Sequence, residues 1–252
     1  MRMTRPDRST QPSALSTALV IFAKAPIPGQ VKTRLCPPLS PDEAATLHGS
    51  LVLDTLERTR TAVTKLKLPI DRYLACAPTA AHVFFKIMEE RQGVKLIDQV
   101  GDDLGARMNQ AFETLFAHGY PRVLLMGTDV PTIPLDSFKQ ALTLLDSHDL
   151  VLGPAFDGGY YLIGLKRAIP ELFIDIPWST DQVLKLTQGK ATSLRLMTGL
   201  LQPWRDVDTL ADLQALIDAS TAEARKPQNE RVFSSRTAGV LQTLAKRLRL
   251  RA

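Results

Sequence analysis

The chain has 252 residues, of which 44% are apolar, and a mean hydropathy close to zero, enough to bury one sizeable α/β core, with two small domains the lesser alternative. The longest apolar run near the start, residues 18–23, falls well short of the roughly 20 residues a helix needs to span a bilayer. The net charge of +5 is unevenly spread: residues 222–252 hold eight basic side chains against Glu223 and Glu230, so +6 lies there and −1 in the rest, which excludes a nucleic-acid-binding body.

Cys36 and Cys76 lie in unrelated segments without a CxxC spacing, which argues against a disulfide framework or zinc site and for a reducing compartment. His48, His82, His118 and His148 lack metal-ligand spacing and read as surface or core-edge residues. Residues 1–17 carry Arg2, Arg5 and Arg8 among Ser, Thr and Pro with no apolar segment of a secretory signal. They read as a disordered leader, and the expected location is cytoplasmic.

Strands and helices alternate along the rest. Residues 18–23 form the first strand, and Ser40-Pro41-Asp42-Glu43 carries the capping box of the first helix. A strand over 72–77, a helix over 80–91, a strand over 94–97 and a helix over 104–117 follow, then the continuous apolar strand 123–126. A helix over about 134–145, with Thr132 as its expected cap, strands over 150–152 and 160–165, and helix starts at Trp178-Ser179-Thr180-Asp181 and Asp208-Thr209 complete the body. This alternation predicts a three-layer α/β/α fold with a mostly parallel central sheet, one domain over 18–221 and a basic tail over 222–252. In the tail, Val240, Leu241, Leu244 and Leu248 recur at helical spacing beside Lys246, Arg247 and Arg249. A packed or solvated terminal helix is favoured over an amphipathic helix touching an anionic membrane or a partner.

Two acids stand just past buried strands. Asp129, in Gly127-Thr128-Asp129-Val130-Pro131, leaves its strand at the carboxyl edge, where open α/β sheets bind ligands and a carboxylate can hold a hard cation or a sugar hydroxyl. The loop after the first strand carries Lys24, Lys32 and Arg34 among Pro26, Pro28 and Gly29, a pre-shaped frame for a diphosphate, and is neither a Walker A loop nor a GxGxxG turn. Backbone N–H groups and Arg107 at the start of the helix after Gly101 suit phosphate or ribose oxygens. Tyr160 and Trp178 are candidates for stacking on sugar or base, with a core role as the alternative.

Taken in order, Phe22-Ala23-Lys24-Ala25-Pro26, Val31-Lys32-Thr33-Arg34-Leu35, Gly101-Asp102-Asp103-Leu104-Gly105-Ala106-Arg107-Met108, Gly127 to Pro131, Gly153 to Tyr161, and Trp178-Ser179-Thr180 resemble a bacterial family of glycosyltransferase-like proteins. Its members are often labelled transferases of arsenosugar biosynthesis, and the resemblance spans residues 18–213. It implies the nucleotide-diphospho-sugar transferase (GT-A) fold and a glycosyltransferase that uses a nucleotide sugar donor, a small acceptor and Mg²⁺ or Mn²⁺. The DxD motif survives only as Asp129-Val130-Pro131, so a second metal ligand is expected from Asp206 or Asp208. The resemblance further implies Asp157, followed by Gly158 and Gly159, as general base, with a turn residue as the alternative, a nucleotide role for Asp103, with a helix N-cap as the alternative, and a substrate role for Ser179 or Thr180. Lys32-Thr33-Arg34-Leu35 and Asp206-Val207-Asp208-Thr209 also look like phospholactate and molybdopterin guanylyltransferases, so a nucleotidyltransferase is the alternative, with a non-catalytic nucleotide-binding relative third.

Overall fold

The computed structural model describes residues 16–227 and 230–249. Up to residue 15, the expected leader lies outside the described residues.

β1 (Thr17–Lys24) is the run TALVIFAK, buried at every position but the last, and it becomes the middle of the sheet because both of its faces are apolar. β2 (Ile70–Ala77) and β4 (Arg122–Met126) flank it, both parallel. With β3 (Lys95–Asp98), β5 (Leu150–Pro154), β6 (Tyr160–Leu165) and β7 (Thr198–Leu200), the seven-stranded order is β3-β2-β1-β4-β6-β5-β7, and β6 runs antiparallel to both neighbours. The chain leaves β1 toward β2 on one side and later returns to β4 on the other. Connections therefore diverge at the carboxyl ends of β1 and β4 and open a crevice there.

Alternate residues of the strands feed two cores. Leu19, Ile21, Leu74 and Leu124 pack with Val52, Phe85 and Phe138 of α1 (Pro41–Lys65), α2 (Val83–Gln92) and α4 (Asp136–Ser147). Val20, Tyr73, Val123 and Leu125 pack on the opposite face with Met108, Phe112 and Leu115 of α3 (Leu104–Ala117) and with Ala191 of α5 (Val183–Ser193). The period of two along β1 is what divides them, and it produces the expected three-layer α/β/α architecture.

α6 (Leu210–Glu223) and α7 (Ser235–Arg249) build a third cluster, in which Leu213, Ile217, Leu241 and Leu244 cover Leu47 and Leu51 of α1. Arg236 of α7 pairs with Asp54 and Glu57 of α1 at 3.3 and 3.0 Å, and Arg247 pairs with Glu43 and donates to the Pro38 carbonyl. The apolar stripe read in the sequence thus faces protein. Among the described residues no helix is long and apolar enough to cross a membrane.

Three local expectations need correction. Thr132 does not cap α4, which begins at Asp136 without a side-chain cap; its hydroxyl oxygen instead accepts a hydrogen bond from the Trp204 indole at 2.9 Å. Helix α5 starts at Val183, more than a turn past Trp178, because Thr180 closes a turn by donating to the Pro177 carbonyl while Ser179 takes a φ of 66°. The three-residue β7, paired in parallel with β5, was not expected.

Candidate functional site

A cavity of about 540 Å³ opens at the carboxyl ends of β1 and β4. Its wall begins with the loop after β1. Val31 and Leu35 are 4% and 0% exposed and pin that loop to the body. Gly29, at φ 78°, and Lys32, at φ 49°, supply the left-handed turns that bend it back over the sheet. Lys32 and Arg34 are thereby brought to the cavity wall with Lys24, whereas Gly29 shapes the loop without lining the cavity.

Lys32 is the most constrained of these cations. Its ammonium lies 2.6 Å from Asp129 Oδ1, 3.0 Å from Asp208 Oδ1 and 2.5 Å from the Val207 carbonyl, and its side chain is 5% exposed. Burial alone would depress its pKa, but the charges of Asp129 and Asp208 together outweigh that and hold it above the usual lysine value. Arg34 is open by comparison: its guanidinium is 3.6 Å from Asp208 Oδ2, and Nη2 donates to the Ser179 carbonyl at 3.5 Å. Asp129 does leave β4 at the carboxyl edge, yet the partner it meets there is an ammonium.

The acids that converge are Asp157, Asp206 and Asp208, each offering an oxygen within 4.8 Å of the others. Asp157 sits in the turn from β5 to β6, where Oδ1 accepts from the Gly159 amide at 2.8 Å; a register shift at Gly153/Pro154 bends the strand just before it. Asp206 and Asp208 come from a distant extended segment. Trp204 N–H donates to the Pro154 carbonyl at 3.0 Å, and Trp204 bridges in parallel to Ala155, so this segment runs alongside the end of β5. Val207 turns into the core at 2% exposure, which sends its neighbours on both sides toward the cavity. Thr209 then caps α6 in a capping box with Asp212 and fixes where the segment ends.

Burial, then the adjacent Asp157 charge, pushes the Asp206 carboxyl up to about 7. Three carboxylates held this closely repel one another, and an all-oxygen set of this kind fits a hard divalent cation such as Mg²⁺ or Mn²⁺.

Tyr160, Trp178, Ser179, Thr180 and Gly159 also line the cavity. Trp178 stacks on Phe173 and lies over Gly105, where a Cβ would stand 2.5 Å from the indole nitrogen. Gly158, at φ 89°, lies against the Asp181 backbone, where a Cβ would stand 2.2 Å from the carbonyl oxygen. Asp103 caps α3 by accepting from the Ala106 amide at 2.7 Å, and Arg107 Nε donates to the Gly101 carbonyl at 2.9 Å. Both hold the start of α3, while their helix neighbours Leu104 and Met108 face the cavity.

Two lining residues escaped the sequence reading. His48, expected at the surface or core edge, is 6% exposed beneath the loop, 3.0 Å through Nε2 from the Lys24 carbonyl. Burial lowers its pKa, so the ring is neutral at pH 7 and donates through Nε2. Gln99 follows β3 directly, and applying to β3 the strand-end logic that singled out Asp129 would have found it.

Known proteins share this fold. Residues 61–180 match the family described as "Uncharacterized protein conserved in bacteria (DUF2064)". A candidate nucleotide-diphospho-sugar transferase from Desulfovibrio desulfuricans G20 is 34% identical over 93% of this chain and 97% of its own, with a TM-score of 0.78. A cytidylyltransferase from Leptospira borgpetersenii serovar Hardjo-bovis shares the fold at 14% identity and TM-score 0.54, covering 92% of this chain and 95% of its own. The CMP:2-keto-3-deoxy-manno-octonic acid synthetase complexed with CTP shares it at 12% identity and TM-score 0.52, over 82% and 99%. No curated protein matches in sequence.

Proposed function

The chain belongs to the bacterial family of nucleotide-diphospho-sugar transferase-like proteins that includes the Desulfovibrio desulfuricans G20 protein, and on that premise we propose that it is a glycosyltransferase working with a divalent cation. The observation that carries this reading is the convergence of Asp157, Asp206 and Asp208 beside Lys32 and Arg34 in the crevice at the carboxyl edge of the sheet. Anion-binding and cation-binding groups stand side by side there, as a metal-chelated diphosphate requires.

Asp206 and Asp208 would hold the cation, which when bound would neutralise charge on the departing nucleoside diphosphate. Arg34, with its side chain 60% exposed, grips diphosphate oxygens by its fork, and Lys32 keeps the loop closed on Asp208. Asp157 is the exposed member of the acidic group and the one an acceptor hydroxyl reaches. It takes the hydroxyl proton as the new bond to the sugar forms and the sugar–phosphate bond breaks. Trp178, propped by Phe173 and Gly105, gives the sugar a flat wall.

The turn Thr33–Leu35, which sets Lys32 and Arg34 close to the same acids, suits a second reading: attack on an NTP α-phosphorus with release of pyrophosphate. Thermal stabilisation by UDP-, GDP-, TDP- and ADP-sugars and the matching NTPs, each with Mn²⁺, Mg²⁺ or EDTA, separates the two, since a ligand that binds only the native state raises Tm. The glycosyltransferase reading expects a metal-dependent rise with one nucleotide sugar. Preference for an NTP favours nucleotidyl transfer, and silence across the panel rejects both.

A further inference from the structure

We propose that Gln99 reads the nucleobase of the bound nucleotide, accepting a hydrogen bond from a ring or amino N–H of the base through Oε1; this rests on the nucleotide reading above. Gln99 N–H donates to the Cys76 carbonyl at 3.0 Å, which extends the β3–β2 ladder by one residue. The side chain therefore reaches over the carboxyl ends of β2 and β1. There Nε2 donates to the Ala75 carbonyl at 2.8 Å and to the Ala23 carbonyl at 3.1 Å. Both amide protons are used, and because both partners are carbonyls, which cannot donate, only one orientation of the amide satisfies them. Oε1 is left as a pure acceptor at the cavity wall, without a protein partner among the described residues.

The surroundings suit a base. Phe22, Leu104 and Met108 line the same cavity, and Leu104 is 43% exposed there. These apolar side chains stand beside a directed polar atom, the usual character of a site that fixes a flat ligand's orientation, with Lys24 next in the chain to Ala23. The acids lie with Lys32 and Arg34 farther along the sheet edge. Between Gln99, tied to β1, and Asp157, which follows β5, lie three steps of the sheet, about 14 Å at the usual strand spacing. An extended nucleotide with its base at Gln99 and its diphosphate toward Asp206 and Asp208 spans that distance.

Gln99→Lys isolates the acceptor, because an ammonium can still donate to Ala23 and Ala75 but accepts nothing. Calorimetric titration with UDP, CDP, GDP, ADP and pyrophosphate, with Mn²⁺, is compared between wild type and Q99K. The expected result is an unchanged pyrophosphate affinity and about a tenfold weaker affinity for the preferred nucleoside diphosphate, with base preference flattened. An analogue of the preferred nucleotide methylated at the donor nitrogen should bind the wild type about tenfold more weakly, and this second measurement stands even if Q99K does not fold. Wild-type preference in folded Q99K, or full affinity of the methylated analogue, overturns the role of Gln99 alone. Failure of every nucleoside diphosphate to bind the wild type overturns the nucleotide site itself.

Discussion

Asp206→Asn should make the protein more stable at neutral and alkaline pH and abolish its response to divalent cations. In the folded protein the Asp206 carboxyl is raised from 3.8 to about 7, chiefly by burial and then by the Asp157 charge. A raised carboxyl means that folding disfavours the ionised form, so the associated stability is complete below about pH 4 and is lost as pH climbs through 7. At about 1.4 kcal/mol per pH unit, that rise of roughly three units sets an upper bound near 4 kcal/mol. Solvent reaches the cluster and screens it, which brings the expected effect to about 1–3 kcal/mol. Asparagine has nearly the same shape and stays neutral. In EDTA, differential scanning calorimetry from pH 4 to 8 should find wild type and D206N melting together at pH 4. At pH 8, D206N should melt about 2–10 °C higher. Mn²⁺ should recover stability for wild type at pH 8 and do little for D206N. Parallel pH curves for the two proteins would refute the repulsive cluster.

Other substitutions test the frame around the cluster. Lys32→Met removes the ammonium shared by Asp129 and Asp208 but leaves two partly exposed carboxylates, so urea titration at pH 7 should find a loss of about 1–3 kcal/mol, with nucleotide-dependent stabilisation gone. Gly105→Ala drives a methyl into the Trp178 indole; the expected cost is about 1–3 kcal/mol with a shift in tryptophan fluorescence, to which only Trp178 and Trp204 contribute. Arg236→Ala strands the buried Asp54, whose carboxyl is already raised by burial, and should destabilise by about 1–3 kcal/mol at pH 8 and by less at pH 4, where Asp54 can protonate. Equal losses at both pH values would deny that pair its electrostatic role.

What the sequence made legible were elements whose local signals agree with the tertiary fold. α1 begins at its capping box, while α3 and β6 occupy 104–117 and 160–165 as periodicity predicts. β7 left no trace because Thr-Gly-Leu is a strand only by virtue of the β5 edge beside it. At the site, Asp206 and Asp208 were legible as acids that a missing DxD partner required. That they meet Asp157 depends on Trp204 bonding Pro154 and Thr132, contacts between segments about 50 and 70 residues apart. The reading of Asp129 as a cation ligand together with Asp206 or Asp208 did not include its ion pair with Lys32, because spacing gives no hint that a loop ammonium is folded against the end of β4. At the start of α3, Asp103 takes the capping role that its position also suited, accepting from the Ala106 amide, and Arg107 Nε donates to the Gly101 carbonyl.

The most direct test of the account is product analysis. Purified protein is incubated with the nucleotide sugar that stabilises it, an acceptor panel and Mn²⁺, and the nucleotide products are identified by mass spectrometry alongside D206N and D208N. The account predicts release of a nucleoside diphosphate that requires both metal and an acceptor and disappears in both variants. Release of pyrophosphate from an NTP instead, or equal turnover in D206N and D208N, would contradict it.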